Sequence, residues 1–241
     1  VRNEKSTQNV RTFDLFKPDV AIAAALESDD LFPVVTGTYI LDQYDMQLRA
    51  GYSETISRPD FRELSPAYFT HPVTGLTIVG NPDLTVAYIK NYDTRWEWYF
   101  SADESISVGL FYKEFDSPIE AIIKPGPTLE RTFINAQDAT TYGIEFDGFR
   151  WLDFVSPRLE NFYLSTNLTL IESEVNIRPQ DAGTLTNPTR ALQGQADYIA
   201  NLQLGFDDGY KQKASLVYHI TGEKIREVGV LGAPDVIDEA Y

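Results

Sequence analysis

The chain has 241 residues, with 36 acidic against 20 basic side chains, a formal net charge of -16 and no cysteine. Mean hydropathy is -0.26, and no run approaches the roughly 18 apolar residues that a membrane-spanning helix needs. The charge argues against a nucleic-acid surface, which requires clustered Lys and Arg. The lack of cysteine removes disulfide frameworks and thiolate metal sites.

In chain order, residues 1–30 are poorly patterned and read as loop with part of a strand; within them, residues 20–26 (Val-Ala-Ile-Ala-Ala-Ala-Leu) fit either a strand or a short apolar helix turn. A two-residue alternation begins at 33–41 and sharpens where Met46, Leu48, Ala50 and Tyr52 alternate with Gln47, Arg49, Gly51 and Ser53. The strongest case is 86–100. Its even positions carry Val86, Tyr88, Lys90, Tyr92, Thr94, Trp96, Trp98 and Phe100, and its odd positions include Asn91, Asp93, Arg95 and Glu97. The pattern returns at 106–112, and at 140–148, where Tyr142, Ile144 and Phe146 oppose Gly143, Glu145 and Asp147. It recurs at 162–170, 197–206 and 213–220. Successive strand side chains point to opposite faces, so each segment predicts a strand with an apolar wall and a polar wall, its register fixed by that contrast.

Length decides what the apolar wall faces. Fifteen residues, 86–100, extend about 50 Å at about 3.3 Å each, and at a tilt of about 40° they still exceed the roughly 25 Å apolar band of an outer-membrane barrel. Strands of a soluble sandwich are seldom that long. A closed barrel is the remaining way to cross a membrane, because every backbone polar group must then be paired. Val86, Tyr88, Trp96, Trp98, Leu164, Leu168, Leu202 and Leu216 are expected to face lipid. Links alternate in length: short turns near 42–45, 101–104, 153–158 and 207–210, long connections through 57–85, 122–130, 176–190 and from 230 onward. Short links at one end and long ones at the other are what transmembrane barrels use. The reading is all-β, an antiparallel transmembrane β-barrel represented by about eight long meander strands.

Several ordered blocks resemble the TonB-dependent outer-membrane receptors. Residues 52–64 (Tyr-Ser-Glu-Thr-Ile-Ser-Arg-Pro-Asp-Phe-Arg-Glu-Leu) are similar to the family's strand-to-loop signature, and Gly80-Asn81-Pro82-Asp83-Leu84, Asn91-Tyr92-Asp93 and Glu97-Trp98-Tyr99-Phe100 follow in family order. Phe111-Tyr112-Lys113, Pro118-Ile119-Glu120, Gly143-Ile144-Glu145 and Leu192-Gln193-Gly194-Gln195, then Asn201, continue it. The resemblance covers 31–241 and implies a 22-stranded barrel with an N-terminal plug domain in its lumen. It also implies import of a scarce nutrient of the siderophore, cobalamin or glycan class, driven by TonB through the plug, in the bacterial outer membrane. No plug domain, TonB-contacting segment or closing strand is visible, so the chain is expected to be part of a larger barrel.

Site residues follow from placement. Arg58, Arg62, Tyr68, Phe69, His71 and Asn81 are candidates for ligand contact, being polar or aromatic in the longest predicted loop. Arg58-Pro59 also reads as the end of a ladder, and Gly80-Asn81-Pro82-Asp83 as turn chemistry. Asn91, Asp93, Arg95, Glu97, Glu145 and Asp147 lie on the polar wall, facing the plug or forming a charge ladder within the wall; plug contact is the favoured reading. Lys90 falls on the apolar wall near its end, where it can snorkel.

The chain's two histidines, His71 and His219, lack zinc-motif spacing, and no phosphate-binding glycine loop or nucleophile elbow occurs. The expectations are therefore no enzyme, no cofactor and no metal site, with outer-membrane lipid, the plug and a small-molecule or glycan ligand as partners. A passive porin and a soluble β-rich carbohydrate-binding module, with Trp96 and Trp98 as a sugar platform, are the alternatives.

Overall fold

The computed structural model describes residues 2–13, 21–72, 75–124 and 129–241. Its strands are β1 (Arg2–Phe13), β2 (Ala21–Phe32), β3 (Val34–Leu41), β4 (Met46–Ser57), β5 (Tyr68–Thr70), β6 (Thr77–Val79), β7 (Ala87–Tyr99), β8 (Ser105–Asp116), β9 (Ile119–Lys124), β10 (Glu130–Asn135), β11 (Asp138–Trp151), β12 (Phe162–Asn176), β13 (Thr189–Arg190), β14 (Tyr198–Asp207), β15 (Lys213–Thr221), β16 (Lys224–Glu227) and β17 (Val236–Asp238). Two single-turn helices, α1 (Phe61–Leu64) and α2 (Pro179–Ala182), lie in the connections. No helix among the described residues is long and apolar enough to cross a membrane.

Eight strands form one antiparallel meander in the order β3-β4-β7-β8-β11-β12-β14-β15, so each expected alternating segment is a wall strand. The register puts apolar side chains in rows on one face. Leu48 opposes Trp96, Trp96 opposes Val108, Val108 opposes Phe146, Phe146 opposes Leu168 and Leu168 opposes Ala200. Toward the long-link end a row of tyrosines runs Tyr52–Tyr92–Tyr112–Tyr142, with the first two pairs of rings 5.1 and 6.0 Å apart. The next row of that face is charged: Glu54, Lys90 and Glu114. At the short-link end, Trp98 packs on Phe100 at 4.4 Å, and Arg150 lies 4.2 Å from the Phe100 and Phe154 rings. From Tyr92 to Phe100 the strand covers about 26 Å, or about 20 Å of height at a tilt of about 40°, close to the roughly 25 Å apolar band of a barrel, with an aromatic girdle at each edge.

Most buried apolar side chains lie outside this wall, in the long connections. One cluster joins Ala136, Ala139, Val175 and Ile177, with Phe115, Ile134, Ala182, Leu185 and Leu192 against it. A second joins Leu64 and Leu84 with Val10, Ile119 and Phe133. The strands β5-β6-β10-β9 form a small sheet, and β16-β17 another. Together with the β1–β2 hairpin these elements form a folded cap on the long-link end.

Two expectations are corrected. Residues 1–30 were expected to be loop with part of a strand, yet β1 and β2 pair over their full lengths, Arg2 with Phe32 and Phe13 with Ala21. Glu4, Ser6 and Gln8 on one side and Asn3, Lys5 and Thr7 on the other are all polar, so the backbone ladder forms without the alternation that would reveal it. The strand reading of residues 20–26 holds for 21–26; Val20 lies outside the described residues. At Pro33, which has no N–H, the run passes from the β1 ladder to the β4 ladder, with Glu54 N donating to Pro33 O at 3.1 Å. The second correction concerns the lipid face. Val86 precedes β7 and is buried, and Tyr88 lies beyond the charged row, its hydroxyl donating to Asp30 Oδ1 at 3.0 Å.

Candidate functional site

The polar face of the wall is an organised surface. One cross-strand row reads Gln47, Glu97, Ser107, Asp147, Asn167, Asn201 and His219, one residue from each of seven consecutive strands. With Arg95 from the adjacent row bridging Glu97 to Ser107, these side chains form a continuous belt. Gln47 donates to Glu97, and Asn167 donates to Asp147 at 2.6 Å. Asn201 donates to Asn167 at 3.4 Å, and His219 lies 2.7 Å from Asn201 Oδ1. The other ring nitrogen of His219, Nε2, lies 3.0 Å from the Thr221 hydroxyl.

In the adjacent row Arg49 and Arg95 stand directly opposite each other, an unfavourable pairing of like charges. Both turn to Glu97, at 3.1 and 3.4 Å, and Arg95 also donates to Asp147 and Ser107 at 2.6 Å each. Of the six residues assigned to plug contact, Arg95, Glu97 and Asp147 are thus joined within the wall. Asn91 donates to Ser53 O and Thr55 Oγ1. Asp93 and Glu145 stand outside the belt, each directly opposite a glycine.

Those glycines follow a rule. Inward Gly51, Gly109, Gly143 and Gly205 oppose Asp93, Glu145, Phe111 and Tyr163 respectively. A Cβ on Gly51, Gly143 or Gly205 would overlap the facing carboxylate or ring, whereas at Gly109 it would make ordinary contact with Glu145 at 3.7 Å. Large polar-face side chains therefore lie flat across glycines, which keeps this face shallow. Above the belt it forms a concavity of about 880 Å³ bordered by Arg49, Asp93, Arg95, Phe111, Lys113 and Glu145.

In the cap, β4 ends at Ser57, as Arg58-Pro59 suggested, and the next residues build a capping box. Asp60 Oδ1 accepts from Arg62 N and Glu63 N at 2.7 and 2.8 Å, and Glu63 accepts from Asp60 N at 2.9 Å. Burial pushes the Glu63 carboxyl above the usual range, partly offset by the Asp60 N–H. Of the ligand candidates, Arg58 is held by Glu4 at 2.7 Å and Ser28 at 3.2 Å, anchoring the β1–β2 hairpin. Asn81 donates to Phe133 O at 2.9 Å and accepts from Asp83 N, a turn role. His71 closes a turn with Leu76 and Gly75 through its backbone. Arg62 is exposed, with its guanidinium 5.9 Å from the Phe69 ring, and Tyr68 is exposed on β5 beside it in sequence. Exposed Phe61, absent from the candidates, borders Arg62 in the chain. Gln47, Ser107, Asn167 and Asn201 were also missed as belt members; their only signal was a polar residue at a shared register position.

The meander, the two-faced wall and the girdles decide little without relatives. A family model, described as TonB dependent receptor-like, beta-barrel, matches residues 1–229. The chain belongs to this family. The match reaches upstream of residue 31, in keeping with the β1–β2 hairpin. Among solved structures, the copper transporter OprC is 15% identical, with a TM-score of 0.62 over 97% of this chain and 34% of that one. A mutant ferric enterobactin receptor of Pseudomonas aeruginosa, in complex with enterobactin, is 15% identical with a TM-score of 0.60 over 92% and 33%. The siderophore receptor PirA of Acinetobacter baumannii is 13% identical, with a TM-score of 0.58 over 92% and 35%. No curated protein matches the sequence. The chain thus spans about a third of each matched barrel protein, as a partial barrel of eight wall strands and its cap.

Proposed function

We propose that this chain forms part of the barrel wall and extracellular loops of an outer-membrane receptor that imports a scarce chelated nutrient with TonB-derived energy. The family match over residues 1–229 carries this reading, and the solved structures include siderophore receptors. The siderophore class is favoured within the wider siderophore, cobalamin and glycan range. The shallow polar face supports it too, because a plug needs a smooth, hydrogen-bonding surface against which to pack and move. Asp93 and Glu145, outside the belt, are the plug contacts we favour. Phe61, Arg62, Tyr68 and Phe69 form the ligand-facing patch, where a cation beside aromatic faces suits an anionic, ring-bearing chelate.

The experiment is uptake of radiolabelled iron siderophores by cells carrying the complete receptor, with and without a functional TonB system. Uptake lost in the TonB-deficient cells and in the deletion strain supports the importer. Leak of small solutes independent of TonB would support a porin instead, and recovery of the protein free of membranes would support a soluble sugar-binding module. The same cells test the plug contacts. Asp93→Asn with Glu145→Gln should raise passive conductance in planar bilayers while the barrel still assembles; unchanged conductance and uptake would reduce both residues to scaffold.

A further inference from the structure

The cap divides into two halves along a seam. The first half combines the β4–β7 and β8–β11 connections, welded into one sheet by β5, β6, β9 and β10. It is reinforced by Thr85 N donating to Asn135 Oδ1 and Asn135 Nδ2 donating to Thr85 O. The second half combines the β12–β14 connection with the residues after β15. Gly194 N donates to Ile225 O at 2.9 Å, Gln193 Nε2 to Arg226 O at 2.5 Å and Asn187 to Asp235 at 3.0 Å, and Leu185 bridges Val230.

The halves share a base beside the wall. There Arg178 donates to Asn135 O at 2.8 Å, and Ala136 and Ala139 pack with Val175 and Ile177. Two ion pairs cross the seam, Arg190–Glu120 beside that base, where Arg190 opposes Val175 in the β12–β13 ladder, and Arg131–Glu227 farther from it. Arg190 meets Glu120 at 2.8 Å with side chains only 3% and 6% exposed, and Arg131 meets Glu227 at 3.0 Å. Burial pushes the Glu120 carboxyl above its usual range, countered by Arg190 and by the Gln193 N–H. Between the halves lies a crevice of about 390 Å³, lined by Glu63, Glu120 and Phe133 from the first and by Gln193, Lys224 and Arg226 from the second.

We propose that the cap is a two-part lid, hinged at its base and latched across the seam by Arg190–Glu120 and Arg131–Glu227. The apolar contacts of the base hold the halves to the wall, and the two ion pairs hold the halves to each other. Breaking one buried pair strands the surviving charge, so the halves separate together instead of fraying loop by loop. The inference rests on the fold and the contacts, and holds whichever ligand the receptor imports.

The test places nitroxide spin labels at Thr70→Cys in the first half and Leu231→Cys in the second, both exposed, in the complete receptor reconstituted in lipid. This chain contributes no native cysteine. The parent should give one narrow distance distribution. Arg190→Met should broaden and lengthen it. Arg131→Met, which breaks the less buried pair, should do the same and raise amide exchange in 189–195, which Arg131 does not hydrogen-bond, on the order of tenfold. Barrel peptides should be unaffected. Unchanged distributions, or faster exchange confined to the half bearing the substitution, would overturn the latch. If the Arg190 variant fails to reach the membrane, the Arg131 variant decides alone.

Discussion

The wall and the cap of this chain solve the same problem, satisfying a backbone while hiding apolar surface, with opposite means. In the wall every long strand is paired on its neighbours, and the apolar side chains point away from the protein. Leu110 is 52% exposed and Leu202 44%, values that would mark a defect in a soluble domain. In the cap, apart from the twelve-residue β1 and β2, the strands are short, and Leu64 and Ala136 are fully enclosed. The wall takes its apolar contacts from lipid and its precision from cross-strand rows; the cap builds its own small cores. Substitutions should therefore fail differently in the two regions.

The largest effect expected is in the cap. Leu64→Ala should remove about 2–5 kcal/mol of local stability by leaving a cavity between α1 and the residues around Leu84. Limited proteolysis should then cut within 58–86 while heat-modifiability of the barrel stays intact; collapse of the barrel as well would erase the distinction between the regions. In the wall, Leu168→Arg should cost about 2–4 kcal/mol of refolding stability in lipid vesicles, because it places a charge in the apolar band. Asn167→Arg, one residue away and beside Asp147, should cost much less. Equal losses would falsify the register.

A smaller wall effect is expected at Gly205, where a side chain would displace the Tyr163 ring from its flat position. Gly205→Val should cost about 1–3 kcal/mol, as overpacking does, and should raise the solvent accessibility of Tyr163 to chemical nitration. The smallest effect is at the short-link end. Asp208 Oδ1 accepts backbone N–H bonds from Tyr210, Lys211 and Gln212, which hold its carboxyl below the ordinary value of 3.8. A depressed pKa means the turn's stabilisation is fully present above pH 3.8 and is lost only as pH falls through the lower folded value. Amide exchange of 209–212 should stay slow at pH 3.8 and quicken below it, and Asp208→Asn should abolish that transition.

The two regions also differ in how much the sequence reveals. All eight wall strands are legible, because lipid on one side and polar contacts on the other impose a period of two. Even the short turns were placed by that contrast. The cap strands β5, β6, β9, β10, β16 and β17 left no such mark, since three to six residues packed in mixed surroundings carry no resolvable period. A related limit hid β1, whose residues 3–8 are polar on both faces, and β2, whose opening run is apolar on both. Candidate residues fared accordingly. The polar wall was identified as a set, but whether Arg95 faces a plug or meets Asp147 depends on a neighbour 52 positions away. Arg58 looked like a loop cation because its partners, Glu4 and Ser28, lie in a segment that appeared unstructured.

Alternation and strand length by themselves determined the eight wall strands and the split of their side chains between two faces, because those are local consequences of a pleated strand between two solvents. They did not determine where the lipid face ends, at Val86 and Tyr88. The belt from Gln47 to His219, the glycine seats beneath Asp93 and Tyr163 and the Arg190–Glu120 pair were decided only by tertiary structure. Each needs a shared register across strands or a meeting of distant connections, and neither is written in the order of residues along one strand.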